Sequence, residues 1–334
     1  MNNNLIEALK KYSVKIINVV NNPESVINAK IKQIYVINLV EDVYKRNYIL
    51  MIMKKYGINF KLVIVNRVST DTYKLLCKNS LLSSSELGCC LSHLWCLYQI
   101  LSNKLENAII FEDDIILHKD FINKFIQIYD SKPGLDFLLL GAHDFMFSTT
   151  NYKNVVKTEG LYKPDKKSVG LYGAHANYYS YEGAKRMFYI RMSELSFFDK
   201  EYMLMFNHFQ NSYICFPNLV LSNITASKLN HEREILSNLE SEYYKKCFIK
   251  FNFNLYNFIY INLLDDVIIS AKDDYESVIE KCIYTKLHDF DKINRIKKRF
   301  VMNFFTIEDI QFILKNQIFI TPNNLSKKCI GEKS

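Results

Sequence analysis

From about residue 30 the chain alternates short apolar runs with longer segments of helical periodicity, an order that predicts an α/β fold. Residues 34–39 (Ile-Tyr-Val-Ile-Asn-Leu) form a nearly unbroken apolar run, the pattern of a strand covered on both faces. Residues 41–56 then place apolar side chains at helical spacing, with Lys45 and Arg46 near the start and Gly57 as the stop. Residues 60–65 read as a second strand. Such a strand–helix–strand crossover is right-handed and parallel almost without exception. It opens a ligand crevice at the carboxyl ends of its strands, here beside Asn38.

Ser83 and Glu86 have the spacing of a capping box, and the helix they open aligns Leu87, Cys90, Leu91, Leu94, Leu97, Tyr98 and Leu101 on one face. Glu86, Cys89, His93 and Cys96 fall on a neighbouring face. Gly88, which costs about 1 kcal/mol relative to Ala inside a helix, has two readings: close approach of another group, or a packing contact beside a satisfied core histidine at 93. Residues 107–111 are a further strand, ending in Glu112-Asp113-Asp114 before apolar residues resume at 115–117. If the chain stays extended, Glu112 and Asp114 point one way and Asp113 the other, leaving two like charges that a cation would relieve. Hard oxygen ligands at a strand's carboxyl end suit Mg²⁺ or Mn²⁺ bridging a diphosphate; the alternative is a loop of solvated acids.

Residues 119–131 read as a helix and 136–141 as a strand, followed by an irregular stretch over 143–168. Residues 181–192 are helical, 202–206 are apolar, and 214–220 make a last strand interrupted by Pro217. Beyond about residue 230 charged and aromatic helical segments take over, one opening at Thr306 and Asp309. The expected organisation is a helical lead-in over 1–29, a nucleotide-binding domain over 30–230, and a mostly helical extension over 231–334.

Composition narrows the function. With 49% apolar and 23% charged residues in 334, the chain can bury an enzyme-sized core, and nine glycines and five prolines exclude fibrous or linker-like readings. The net charge of +8 is spread along the chain, so no nucleic-acid partner is expected. The one dense cluster, Lys292, Arg295, Lys297, Lys298 and Arg299, reads as a solvated helix face. Eight cysteines without a Cys-x-x-Cys pair suggest reduced, buried thiols. No signal peptide is visible, and the most apolar stretch, 248–269, is broken by seven polar or charged residues, so no membrane span and a cytoplasmic location are expected.

Five motifs occur in one order: Val36-Ile37-Asn38-Leu39 with Lys45-Arg46; the run from Ser84 through Glu86, Gly88 and Cys89 to His93; Glu112-Asp113-Asp114; Asp136 through Gly141; and Ser180-x-x-Gly183-Ala184. Together, over about residues 30–222, they resemble glycosyltransferase family 25, which includes lipooligosaccharide and procollagen galactosyltransferases. Residues 198–206 look closest to the procollagen type, and the codon-driven composition resembles giant DNA virus members. The resemblance implies a GT-A fold, a Rossmann-like mixed sheet flanked by helices, and inverting transfer of galactose or glucose from a UDP-sugar. Mn²⁺ or Mg²⁺ would be the cofactor, and the acceptor a hydroxyl of a protein, such as collagen-like hydroxylysine, or of a glycan. The expected metal ligands are Asp114 and Glu112, from their place at a strand end, with His231 after the last strand; Asn38, Arg46, Glu86, His93, Glu112 and Asp113 are expected on the donor. Asp199 is the base, with Asp144 in reserve. Read from the residues alone, Asp199 is equally an N-cap and His231 a surface histidine. The chain departs from the family at Asn177, where an aromatic residue is usual, and no family motif accounts for 230–334. Two rival functions fit the same residues: a metal-dependent nucleotidyltransferase, or a non-catalytic binding or assembly protein with residual acids. Association of copies through 231–334 is a further expectation.

Overall fold

The structure, a computed structural model, describes residues 3–12, 14–77, 82–144, 160–164, 171–199, 202–216, 218–222, 259–262, 267–270 and 300–301. Contacts divide the chain into two compact units, Met1–Ile115 with Phe121–Val220, and Ile116–Asp120 with Leu221–Ser334.

The first unit is a mixed α/β layer structure. Its helices are α1 (Asn3–Lys11), α2 (Val26–Lys30), α3 (Val43–Lys55), α4 (Thr70–Leu76), α5 (Ser84–Ser102), α6 (Phe121–Ser131), α7 (Tyr181–Ser193) and α8 (Tyr202–His208). Its strands include β1 (Val14–Val19), β2 (Gln33–Leu39), β3 (Phe60–Val65), β4 (Asn107–Phe111), β6 (Phe137–Leu139), β8 (Gly160–Tyr162), β10 (Ala176–Ser180) and β11 (Ser212–Phe216). These eight make one sheet in the order β1-β3-β2-β4-β10-β6-β11-β8. Strands β3, β2 and β4 are parallel neighbours, as the crossover expectation requires, and β10 enters antiparallel between β4 and β6.

Burial on both faces follows from period-two alternation. In β4, Ala108 and Ile110 join the core beneath α5, while the Phe111 ring meets Phe121 of α6 edge-on at 6.1 Å. Helix α5 is buried along most of its length, so its apolar face is wider than a single stripe; Tyr98, expected in the core, is 43% exposed. The capping box forms: Ser83 Oγ accepts from the Glu86 N–H at 3.2 Å and Glu86 Oε2 from the Ser83 N–H at 2.8 Å. A cap of this kind contributes about 1 kcal/mol and fixes where α5 begins.

Two short strands, β7 (His143–Asp144) and β9 (Leu171–Tyr172), pair antiparallel. Gly141 follows β6 at a point of close approach. A Cβ there would lie 1.8 Å from the Val220 carbonyl oxygen and 2.5 Å from His175 Nε2, so only glycine fits.

Residues 1–29, expected to be a helical lead-in, supply α1 but also β1, which pairs antiparallel with β3 from Val14 to Val19 and so belongs to the sheet. The strands β5 (Ile115–Leu117) and β12 (Val220–Ser222), each of which opens on the last residue of a first-unit segment, form a two-stranded sheet. The described residues beyond Ser222 form three strands, β13 (Ile259–Asn262), β14 (Val267–Ser270) and β15 (Phe300–Val301), in one antiparallel sheet. The remaining residues of 231–334, the basic cluster and the Thr306 cap included, lie outside the described residues. Among the described residues no helix is long and apolar enough to cross a membrane.

Candidate active site

Parallel pairing of β2 and β4 ends with Val36 opposite Phe111, and two residues further on stand Asn38 and Asp113. Each of these polar side chains therefore leaves the sheet at its carboxyl edge, where the crossover predicts a crevice. Asn38 Nδ2 donates to Asp113 Oδ2 at 2.7 Å and to the Asp42 carbonyl at 3.1 Å. Arg46, in the first turn of α3, donates from Nε to Asn38 Oδ1 at 2.8 Å and from its NH2 nitrogen to the carbonyls of Leu39 and Val40. The guanidinium thus braces the β2–α3 turn and sets the Asn38 amide so that it presents N–H groups to Asp113.

Lys45 completes this group. Its Nζ lies 3.2 Å from Asp113 Oδ1 and 4.0 Å from Asp114 Oδ2. Asp113 and Asp114 are 8% and 6% exposed, which excludes the reading of solvated acids. Burial alone would lower the Lys45 ammonium pKa, yet the Asp113, Asp114 and Asp42 charges hold it above its ordinary range. Burial raises the Asp113 carboxyl, opposed by Lys45 and by the Asn38 hydrogen bond. Two buried carboxylates drawn onto one ammonium are hard oxygen donors of the kind a divalent ion requires.

The acids do not alternate as an extended chain would place them. The backbone turns at Asp113 and Asp114, so these two share Lys45, while Glu112 alone continues the α5-facing alternation of Ala108 and Ile110. Glu112 Oε1 meets His93 Nε2 at 3.1 Å and accepts from Cys89 Sγ at 3.5 Å, and the Glu112 N–H donates to the His175 carbonyl at 2.9 Å. Burial pushes the Glu112 carboxyl up, but the His93 hydrogen bond and the His93 and His175 charges outweigh it and hold it well below the usual range. Cys89 is held up as a thiol by burial and by the Glu112 and Asp199 charges.

His93 is 1% exposed, its ring stacked on Phe198 at 4.4 Å, and it is thereby both a core residue and a partner of Glu112. Next along the chain, Asp199 Oδ2 accepts from the Gly173 N–H at 2.8 Å. Burial raises its carboxyl; the Gly173 hydrogen bond opposes and the Glu112 charge reinforces that shift. Asn177, the departure from the family pattern, donates to the Ala174 carbonyl at 2.9 Å and to the Tyr202 hydroxyl at 2.8 Å, so it ties the 173–174 turn to α8. Buried Arg191 donates to Ser196 Oγ at 2.6 Å and to the Phe197 carbonyl at 2.8 Å, anchoring the loop that carries Phe198 and Asp199.

Of the other expected site residues, Glu86 has its carboxylate in the capping box. An added Cβ at Gly88 would meet only the Val68 side chain, at an ordinary 3.5 Å, so this glycine is a packing contact rather than a cradle. Asp144 lies in β7 opposite Leu171, and His231 falls outside the described residues. Sequence reasoning assigned no role to Lys45, although it stands beside Arg46 in the same motif and one turn of α3 aims it at the acids. Cys89 was visible as a neighbour of His93 on one helix face, four residues away.

His175 gives a pH-dependent expectation. Burial lowers its pKa from 6.5 to about 4, so the folded state keeps the ring neutral where the unfolded chain binds a proton. The linked stability is fully present above pH 6.5 and lost as pH falls through about 4, amounting to about 3 kcal/mol. Urea titrations of the wild type and of His175→Gln across that window should give a shallower loss with acid in the variant; parallel curves would contradict it.

Residues 31–194 match the family model described as glycosyltransferase family 25 (LPS biosynthesis protein). Among solved structures the chain is similar to that titled "Crystal structure of a glycosyltransferase involved in the glycosylation of the major capsid of PBCV-1". The two are 11% identical over 55% of this chain and 80% of that one, with a TM-score of 0.32. No curated protein matches the chain.

Proposed function

We propose, from the premise that residues 31–194 belong to glycosyltransferase family 25, that this protein transfers a hexose, galactose or glucose, from a UDP-sugar to the hydroxyl of a protein or glycan acceptor with inversion. Family membership supports glycosyl transfer itself. The observation that carries the finer reading is the buried Asn38, Asp113, Lys45 and Asp114 group at the carboxyl edge of β2 and β4. It joins hard oxygen donors to an ammonium beside a crossover crevice, the chemistry that a nucleoside diphosphate and its divalent ion require.

The residues present fit a hard cation in their donor set. Asp113 and Asp114 are buried oxygen donors that would hold Mn²⁺ or Mg²⁺ once Lys45, which now pairs with them, turned toward the diphosphate. When bound, the ion neutralises charge on the leaving diphosphate. Lys45, paired with the same acids, would add a second positive charge to that leaving group, and Asn38 fixes Asp113 through the Arg46 brace. Glu112 is directed toward Cys89 and His93 instead, so of the two expected metal ligands among the described residues it is Asp114 that joins this group.

In an inverting transfer the acceptor oxygen attacks the anomeric carbon on the face opposite UDP, and a carboxylate takes its proton. Asp199 is that base in our reading. Its raised pKa brings it closer to working pH, where a base both accepts and releases a proton efficiently, and the Gly173 N–H holds one of its oxygens in place. Asp144 is the reserve if Asp199 serves only its loop.

A panel of UDP-sugars incubated with the chain and Mn²⁺, without acceptor, tests this reading. UDP release from at least one UDP-hexose, abolished by chelator and restored by Mn²⁺, is the expected outcome. Release of pyrophosphate instead would assign nucleotidyl transfer, and tight binding without turnover would assign a non-catalytic protein.

A further inference from the structure

We propose that Cys89, His93 and Glu112 form a second cation site, selective for a thiophilic divalent ion of the zinc class and separate from the all-oxygen pair Asp113 and Asp114. Cys89 and His93 stand one turn apart on the same face of α5, and the end of β4 brings Glu112 to that face. A ligand atom from each of the three lies within 4.8 Å of the others. One oxygen, Glu112 Oε1, faces both partners, at 3.1 Å from His93 Nε2 and 3.5 Å from Cys89 Sγ. A tetrahedral zinc with ordinary bond lengths has edges of roughly 3.3 Å between nitrogen and oxygen and roughly 3.6 Å between sulfur and oxygen. The two edges that meet at Oε1 therefore already stand close to the spacing of a coordination polyhedron, and the sulfur–nitrogen edge lies within 4.8 Å.

Ligand chemistry decides the class of ion. Thiolate and imidazole favour zinc and its neighbours, whereas magnesium and manganese favour carboxylate and water. Zinc binding would release two protons from the ligand atoms, the Cys89 thiol proton to solvent and the His93 Nε2 proton to Nδ1 or to solvent, and exchange two hydrogen bonds to Oε1 for three metal–ligand bonds. Two donors are held in place beforehand: Phe198 stacks on the His93 ring, and the Glu112 backbone is bonded to His175. The Glu112 side chain is 28% exposed, which gives an ion a route from solvent and leaves room for a water as fourth ligand. A bound ion would pin the first turns of α5 to the end of β4.

The test uses the full chain stripped with chelator, reloaded with Zn²⁺ or Co²⁺ and desalted. One zinc per chain by elemental analysis is expected, and in the cobalt form a thiolate-to-cobalt charge-transfer band with tetrahedral d–d bands. Cys89→Ser should abolish the charge-transfer band and weaken zinc binding at least about 100-fold, since loss of even an outer partner costs 10–100-fold. Asp114→Asn should retain both. Failure of the wild type to retain zinc would mean a purely hydrogen-bonded triad, and a band that persists in Cys89→Ser would place the ion elsewhere; either overturns the proposal. Should Cys89→Ser lose its fold by circular dichroism, Glu112→Gln serves. It should keep the band and bind zinc at least about 10-fold more weakly, and unchanged affinity overturns the proposal. Retained zinc in a chain that shows no Mn²⁺-dependent UDP release would strike the transferase reading alone.

Discussion

Asp114→Ala is expected to remove Mn²⁺-dependent UDP release almost entirely, by about 1000-fold or more. Asp114 is buried, and with Asp113 it makes the group that draws in the Lys45 ammonium. Its loss would leave one carboxylate to hold a divalent ion whose neutralisation of the leaving diphosphate is worth several kcal/mol of transition-state stabilisation. Lys45 would stay paired with Asp113, so the fold should persist and UDP-sugar binding should weaken less than turnover. The measurement is UDP release against Mn²⁺ concentration, with circular dichroism as the control for folding. Turnover at the wild-type rate in this variant, or in excess chelator, would remove Asp114 and the metal from the reaction.

Asp199→Asn should separate binding from transfer. The asparagine amide oxygen can still accept the Gly173 N–H, so the 173–174 turn and the start of α8 keep their geometry, while the group can no longer take a proton. UDP affinity should be unchanged, and transfer should fall by at least about 100-fold, the scale of a missing general base. Calorimetric UDP titration and initial rates with acceptor give the two halves of that result. An unchanged rate would make Asp199 a structural residue of its loop and bring Asp144 forward.

How much of this was legible in sequence depended on whether the deciding interactions were local. Strands β2, β3 and β4 and the α5 cap are written in runs of a few residues, and their bounds fall within one or two positions of those expected. The divergence of Glu112 from Asp113 was legible too, because period-two alternation carries over from Phe111. The place of Asp114 was not, since the turn at 113–114 ends that alternation and the attraction of Lys45, some 68 residues away from Asp113, replaces it. Strand β1 escaped notice for a different reason. Its residues are intermediate or exposed throughout, so the usual signal of a buried face is missing, and only its pairing with β3 reveals it. The Asn38 bond to Asp113 likewise spans 75 residues, and no local pattern announces it.

That unassuming outer strand determines how the chain can be dissected. Cutting at residue 30, where the apolar rhythm begins, would strip β3 of its neighbour and leave a row of unsatisfied backbone amides and carbonyls along the new margin. Such a margin invites strand-to-strand association between copies. A shortened form made for crystallisation or assay therefore keeps the β3 margin paired if it begins ahead of Val14.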